Sequence, residues 1–391
     1  MTQVKTGLQN FLEQTDDSFS GKRLGLLCNQ ASVDTKFHHA RDLINSRFPG
    51  QVTALYSPQH GFFGEKHDNM IESDNMTDPD LKIPVFSLYG KTRIPDREML
   101  DLIDVLIIDL QDVGTRVYTF IYTMSYCMEA AALFNKQIVI LDRPNPVNGM
   151  TIEGNCLSDM FASFVGRYPI PMRHGLTTGE LALLFNNHFK INCKLKIIPM
   201  SGWNRSMYFK DTGLPWVAPS PNLPTPTCAA VYPGQVLWEG TNVSEARGTS
   251  MPFQMFGAPF IDTQKILSTL GGNKLPGVIL RPLAFEPTSN KWQNKHCQGF
   301  QIHITNLHEY QPYLTTLRLM QAVILNHKQE FKWKQPPYEY EFKKLPIDLI
   351  IGSRNVREQV ERLENMDHIQ KSWKQDLNAY REISQQFYIY D

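Results

Sequence analysis

The sequence predicts an α/β protein, with a Rossmann-like, mainly parallel sheet domain followed by a smaller C-terminal α+β domain. Three observations carry this. Short apolar runs rich in Val, Ile and Leu recur up to residue 200; each ends abruptly in polar residues; and helical stretches with short connections separate them. A short run apolar throughout marks a strand buried on both faces of a parallel sheet. Its alternation with helices marks βαβ units.

The elements follow in order. Val4, Leu8, Phe11 and Leu12 fall at helical spacing, and a turn at 18–21 leads into the strand 23–28, RLGLLC, which ends on NQAS. A helix at 40–48 precedes the strand 52–57, which runs into PQHGFFGEKHDN; a third strand, 83–88, ends in Tyr89 and Gly90. A short helix at 96–102 leads to DVLIIDLQDVGTRVYTFIYT (104–123), where the apolar run stops and Asp109, Gln111, Asp112, Thr115, Arg116 and Tyr118 crowd in. The carboxyl ends of strands in open α/β sheets open into the ligand crevice. The plainer alternative has Asp112 capping the next helix and Arg116 pairing with it. The strands 52–57 and 104–110 are expected as interior neighbours. A helix at 122–134 and a strand at 137–141, ending in DRPNPVNG, complete the first half.

Residues 167–175 (RYPIPMRHG) place Arg173 and His174 before Thr177, Thr178 and Glu180, the cap and first turn of a helix at 180–189. A strand at 195–200 precedes a proline-rich stretch, 214–234, expected as a stiff loop. EGTNVSEARGTSMPFQMFGAPF then carries Glu239, Glu245 and Arg247 among small residues. From about residue 261 the texture changes: a helix at 263–270, strands at 277–284 and 299–305 (Gln301 and His303 on one face), a helix at 313–328 and a charged, solvated helical tail at 354–386. Residues 1–260 are accordingly expected to form the Rossmann-like domain carrying most site motifs, and 261–391 the smaller domain that closes its cleft.

Composition excludes several classes. Lys and Arg balance Asp and Glu at 39 each, which gives no reason for a nucleic-acid partner. No apolar run approaches the roughly 20 residues of a membrane span, and MTQVKTGLQNFLEQ shows no signal peptide. The six cysteines are far apart and form no CxxC, so reduced thiols and a cytoplasmic location are expected. The first strand is followed by neither GxGxxG nor a P-loop, which argues against a nucleotide cofactor. His60, His174 and His303 form no HExxH or HxH, so no metal is expected. A homodimer is compatible with all of this.

Six motifs in one order, SPQHGFFGE, LIIDLQDVGTRVYTF, DRPNP, RHGLTTGELA, SPNLPT and EGTNVSEARGTSMPF, resemble the DUF1343/NamZ-type family of exo-β-N-acetylmuramidases from residue 22 to about 390. The resemblance implies a cleft between the two domains and hydrolysis of a terminal N-acetylmuramic acid from peptidoglycan fragments, with a small carbohydrate as the partner and no cofactor. The alternative is a catalytically altered or inactive relative that binds amino-sugar or peptidoglycan fragments. Family members carry a glutamate before His-Gly where this chain has Gln59, and a glutamine cannot transfer a proton in that role. The acid is therefore expected at Glu65, beside Phe62 and Phe63, whose apolar surroundings would raise its pKa; Glu72 lies in the same loop.

Glycoside hydrolysis usually needs two carboxyl groups across the scissile bond. Asp109, Asp112, Glu239 and Glu245 all lie near predicted strand ends or Gly-rich loops; Asp109, Asp112 or Glu245 is expected as the second, with no basis for choosing among them. An Arg fork would hold the lactyl carboxylate of a muramic residue, and at least two of Arg116, Arg143, Arg173 and Arg247 are expected to share one pocket. Gln59, His60, Gln111, Asn145, His174 and Asn222 are further substrate-binding candidates, and Tyr118, Trp203 and Phe253 are candidates to stack on sugar faces.

Overall fold

The computed structural model of the protein describes residues 3–14, 17–68, 70–272 and 274–391. Helix α1 (Gly7–Glu13) opens with a Thr6–Gln9 capping box, followed by strand β1 (Leu24–Cys28), helix α2 (Ala40–Arg47) and strands β2 (Val52–Ser57), β3 (Met76–Thr77) and β4 (Pro84–Ser87). Then come α3 (Arg97–Asp101), β5 (Val105–Asp109), α4 (Phe120–Leu133), β6 (Gln137–Leu141), β7 (Glu153–Cys156), β8 (Pro171–Arg173), α5 (Thr178–Leu183) and β9 (Lys194–Ile198). One seven-stranded sheet runs β3-β4-β2-β1-β5-β6-β9, parallel except where β3 meets β4. Strands β2 and β5 are thus not neighbours as the sequence suggests: β1 lies between them and pairs with both.

Alternation along the strands builds two cores. Leu106 and Ile108 of β5, with Ile138 and Ile140 of β6, face a large cluster that includes α4. Val105, Ile107, Val139 and Leu141 face the opposite cluster with Leu8 and Phe11 of α1 and Ile44 of α2. The pleat sends successive side chains to opposite faces, so a run with no polar member serves both layers.

The proline-rich stretch is not loop to its end. Thr225 accepts the amide of Cys228 and Pro226 sits in the first turn of helix α6 (Pro226–Gln235). Proline is suited to the first turn, where its missing N–H has no intrahelical partner to lose. A Cβ on Gly234 would lie 2.0 Å from the carbonyl oxygen of Pro312, so only glycine lets α6 approach the start of the later helix 312–326 this closely. Strand β10 (Met255–Ala258), helix α7 (Thr263–Thr269) and strands β11 (Val278–Phe285) and β12 (Cys297–Ile304) follow. The three strands form an antiparallel sheet in the order β10-β12-β11. Helices α8 (Pro312–Asn326), α9 (Pro346–Ile351), α10 (Arg354–Glu361), α11 (Met366–Ser372) and α12 (Lys374–Ser384) complete the chain.

The last three helices are less solvated than their charge suggests, because Val356, Val360, Met366, Ile369, Trp373 and Tyr380 enter the main core. Polar groups also stitch the C-terminal part to the sheet domain: Tyr380 donates to the carbonyl of His174 (2.8 Å), and Asn155 to that of Ile351 (2.9 Å). Among the described residues no helix is long and apolar enough to cross a membrane.

Candidate active site

Residues just past the ends of β2, β4 and β5 meet two segments from later in the chain. From the sheet side come Gln59 and His60, Tyr89, and Tyr118 with Thr119; from the other side come Glu239, Arg247 and the turn at Tyr338–Glu339. Apart from Tyr89, which reaches the site through Glu339, these residues line a small cavity of about 30 Å³ at the carboxyl ends of the strands, where such sheets place their ligands.

Two buried carboxyls lie in its wall. Glu239 accepts Arg247 Nη2 through Oε1 (2.7 Å) and the Tyr338 hydroxyl through Oε2 (2.7 Å). Arg247 also lies 3.3 Å from Glu245, which in turn holds Lys291 at 2.7 Å. Two acids and two bases make this network neutral. Glu339 accepts Gln59 Nε2 through Oε1 (3.2 Å) and the Tyr89 hydroxyl through Oε2 (2.7 Å). Gln59 is itself held by the hydroxyl of Thr119 (2.7 Å).

The two environments act in opposite directions. Burial alone would raise both carboxyls, but the Arg247 guanidinium and the Tyr338 hydroxyl hold Glu239 below its ordinary range. Among the described residues no cation pairs directly with Glu339; burial pushes it up, with the nearby Glu239 charge adding to the shift and the Arg93 charge opposing it. Burial also drops His60 to about 4. Its Nδ1 is 2.7 Å from the carbonyl of Lys66, so the neutral ring carries its proton there.

Matching family models cover nearly the whole chain. The N-terminal model of exo-beta-N-acetylmuramidase NamZ matches residues 24–227 and the C-terminal model residues 230–390. The chain belongs to the NamZ family. It is 39% identical over 387 residues to the peptidoglycan beta-N-acetylmuramidase NamZ of Bacillus subtilis (strain 168), covering 99% of this chain and 91% of that protein. Two crystal structures of DUF1343 family proteins from Bacteroides fragilis NCTC 9343 match as well. One has a TM-score of 0.90 at 35% identity and full coverage of both chains. The other has 0.77 at 29%, covering 100% of this chain and 99% of that one.

Within this NamZ fold the structure brings Gln59, His60, Tyr118, Asn222, Arg247 and Phe253 to the cavity. Other candidates lie elsewhere. Glu65 is exposed and accepts the amide of Phe63 (3.2 Å), and Phe63 is itself 51% exposed, so the apolar surround expected for that acid is absent. Tyr340 takes Glu72 at 2.9 Å. Asp109 is fully buried in a two-pronged ion pair with Arg143 (2.5 and 2.8 Å). Arg143 and Gln111 line a separate small recess. Asp112 accepts the amide of Gly114 (2.7 Å) and lies 3.3 Å from His174, forming a buried pair outside the cavity wall. Glu245 stands behind Arg247.

Arg116 does not pair with Asp112: its Nη2 donates to the carbonyls of Ile350 (3.0 Å) and Ile351 (2.7 Å) at the end of α9. Arg173 donates to the carbonyl of Val147, and Asn145 to that of Leu176 (2.9 Å). Of the four arginines only Arg247 lines the cavity, so the expected shared pocket is not formed. Trp203 packs with Val4 and Met200. The residues missed were Glu339, Tyr338 and Tyr89. The available signal was an acid between two tyrosines in PPYEYEF, a segment with neither helical nor strand period.

Proposed function

We propose that this chain is an exo-β-N-acetylmuramidase that releases N-acetylmuramic acid from the non-reducing ends of peptidoglycan fragments. The single observation carrying the reading is that two buried carboxyls share one cavity in unlike surroundings, one held down by Arg247 and Tyr338 and the other pushed up by burial; paired acids tuned apart are what glycoside cleavage requires. Family membership supplies the sugar. Glu239 provides the negative charge that stabilises the cationic character growing at the anomeric carbon, and the aromatic rings of Tyr118 and Phe253 offer faces to the pyranose. Arg247 orients the lactyl carboxylate.

Gln59 favours a second reading, a relative that binds such fragments without cutting them. Release of free N-acetylmuramic acid from a MurNAc-GlcNAc disaccharide decides between the two. Turnover supports the muramidase. Binding of the disaccharide with no product over long incubation supports the second reading.

We further propose a cytoplasmic role in wall-fragment recycling, supported by six cysteines that are all unpaired. A unit boundary near residue 228 fits the two family models, and β10 pairs within the smaller sheet.

A further inference from the structure

We infer that Glu339 is the proton donor to the departing glycosidic oxygen; the inference rests on the muramidase reading. Three independent features of the structure converge on it.

The first is backbone geometry. Tyr338 and Glu341 exchange both backbone hydrogen bonds (2.9 and 3.0 Å), which makes residues 338–341 a two-residue hairpin turn. Its two central residues, Glu339 (φ 45°) and Tyr340 (φ 68°), are both left-handed. Such turns favour Asn-Gly, because side-chain-bearing residues are costly there. A glutamate and a tyrosine in those places strain the backbone, and strain of this kind concentrates at functional sites.

The second is what holds the turn in place. Arg93 lies over the Tyr340 ring at 3.2 Å, the Glu72 carboxylate takes the Tyr340 hydroxyl, and Met70 Sδ takes the Glu339 amide (3.3 Å). The surroundings fix the tip so that Glu339, only 3% exposed, lies in the wall of the cavity.

The third is the pair of partners on the carboxyl. Gln59 Nε2 reaches one oxygen, and the Tyr89 hydroxyl, which can donate or accept, reaches the other. With the carboxyl protonated, its O–H rests on Tyr89. As the proton moves to the glycosidic oxygen, the C1–O bond breaks and its electron pair stays on that oxygen. Gln59 and Tyr89 then both donate to the new carboxylate. Donors already in place for the charge that develops lower the barrier without reorganisation. One water is consumed: its hydroxyl ends on C1, and its remaining proton restores the carboxyl. Gln59 and Tyr89 are positioning residues in this scheme.

The test compares two leaving groups. A sugar leaving group needs protonation; 2,4-dinitrophenolate does not. Glu339→Gln is expected to lower kcat/KM on MurNAc-GlcNAc by about 100-fold or more, the scale of acid assistance, and on 2,4-dinitrophenyl N-acetylmuraminide by about tenfold or less. Glu339→Asn, which suits the left-handed turn, is expected to show the same split with a Tm at or above wild type. Equal losses on both substrates, or a fall in Tm that matches the loss of activity, would make Glu339 structural and overturn the inference. Unchanged disaccharide cleavage in an active protein would overturn it alone. A wild type inactive on both substrates would sink the muramidase reading and the inference with it.

Discussion

Arg247 stands between Glu239 and Glu245, with Lys291 backing the second acid. Removing one partner of a buried ionic network leaves an uncompensated charge, at a cost of about 3–5 kcal/mol. Arg247→Ala is therefore expected to lower the unfolding free energy by that amount, and urea denaturation checks it; a variant as stable as wild type would contradict the network. Arg247→Lys keeps the charge but loses the fork, and should weaken binding of N-acetylmuramic acid more than of N-acetylglucosamine, which lacks the carboxylate. Calorimetric titration with both sugars separates these, and equal weakening would assign Arg247 to the scaffold. The motifs made Gln59, His60, Tyr118, Asn222 and Arg247 legible as cavity residues. They also drew in Asp109 and Arg143, which are consumed by their own ion pair, and Arg116, whose Nη2 is committed to helix-end carbonyls. A sequence names a residue type but not its partner. Glu339 was illegible for the same reason: its partner Gln59 lies 280 positions away.

At the scale of elements, Glu153 of β7 accepts the amide of Leu314 in the first turn of α8 (3.0 Å), joining a small sheet to a long helix. Burial raises its pKa from 4.5 to about 7, against the opposing pull of that amide and of Arg173. A raised folded-state pKa means the folded protein binds more protons. The stabilisation is complete below 4.5 and is lost as pH rises through 7, by about 3 kcal/mol in all. Asp142, raised by burial to about 6, acts in the same sense, whereas His60, depressed to about 4, gives stability above 6.5 that is lost as pH falls. Glu153→Gln should accordingly flatten the fall in Tm between about pH 5 and 7. Parallel Tm–pH curves for variant and wild type would remove Glu153 from the account. The strands β1, β2, β5 and β6 were legible because burial on both faces leaves a continuous apolar run, whereas the short β3, β7, β8 and β10 carry no such run. Helix α6 was not, because the prolines that start a helix are the same residues that stiffen a loop.

At the scale of the whole molecule, the seam between the sheet domain and the C-terminal helices joins apolar packing to buried polar contacts. Arg116, fully buried, donates across it to Ile350 and Ile351. Arg116→Ala should take this donor from the Ile350 carbonyl, leave only Asn155 on that of Ile351, and open a cavity at the seam. Differential scanning calorimetry is expected to show the single wild-type transition fall in temperature and split as the two parts uncouple. An unsplit transition at the wild-type temperature would refute that role. Parting the seam would cost the intact protein the same contacts, which disfavours separation of the two parts as the route of entry. Such a machine has no need to swing its halves. Anchored through both parts to a resin, or locked in a crystal lattice that leaves the rim open, it should go on cutting sugars at close to its pace in free solution.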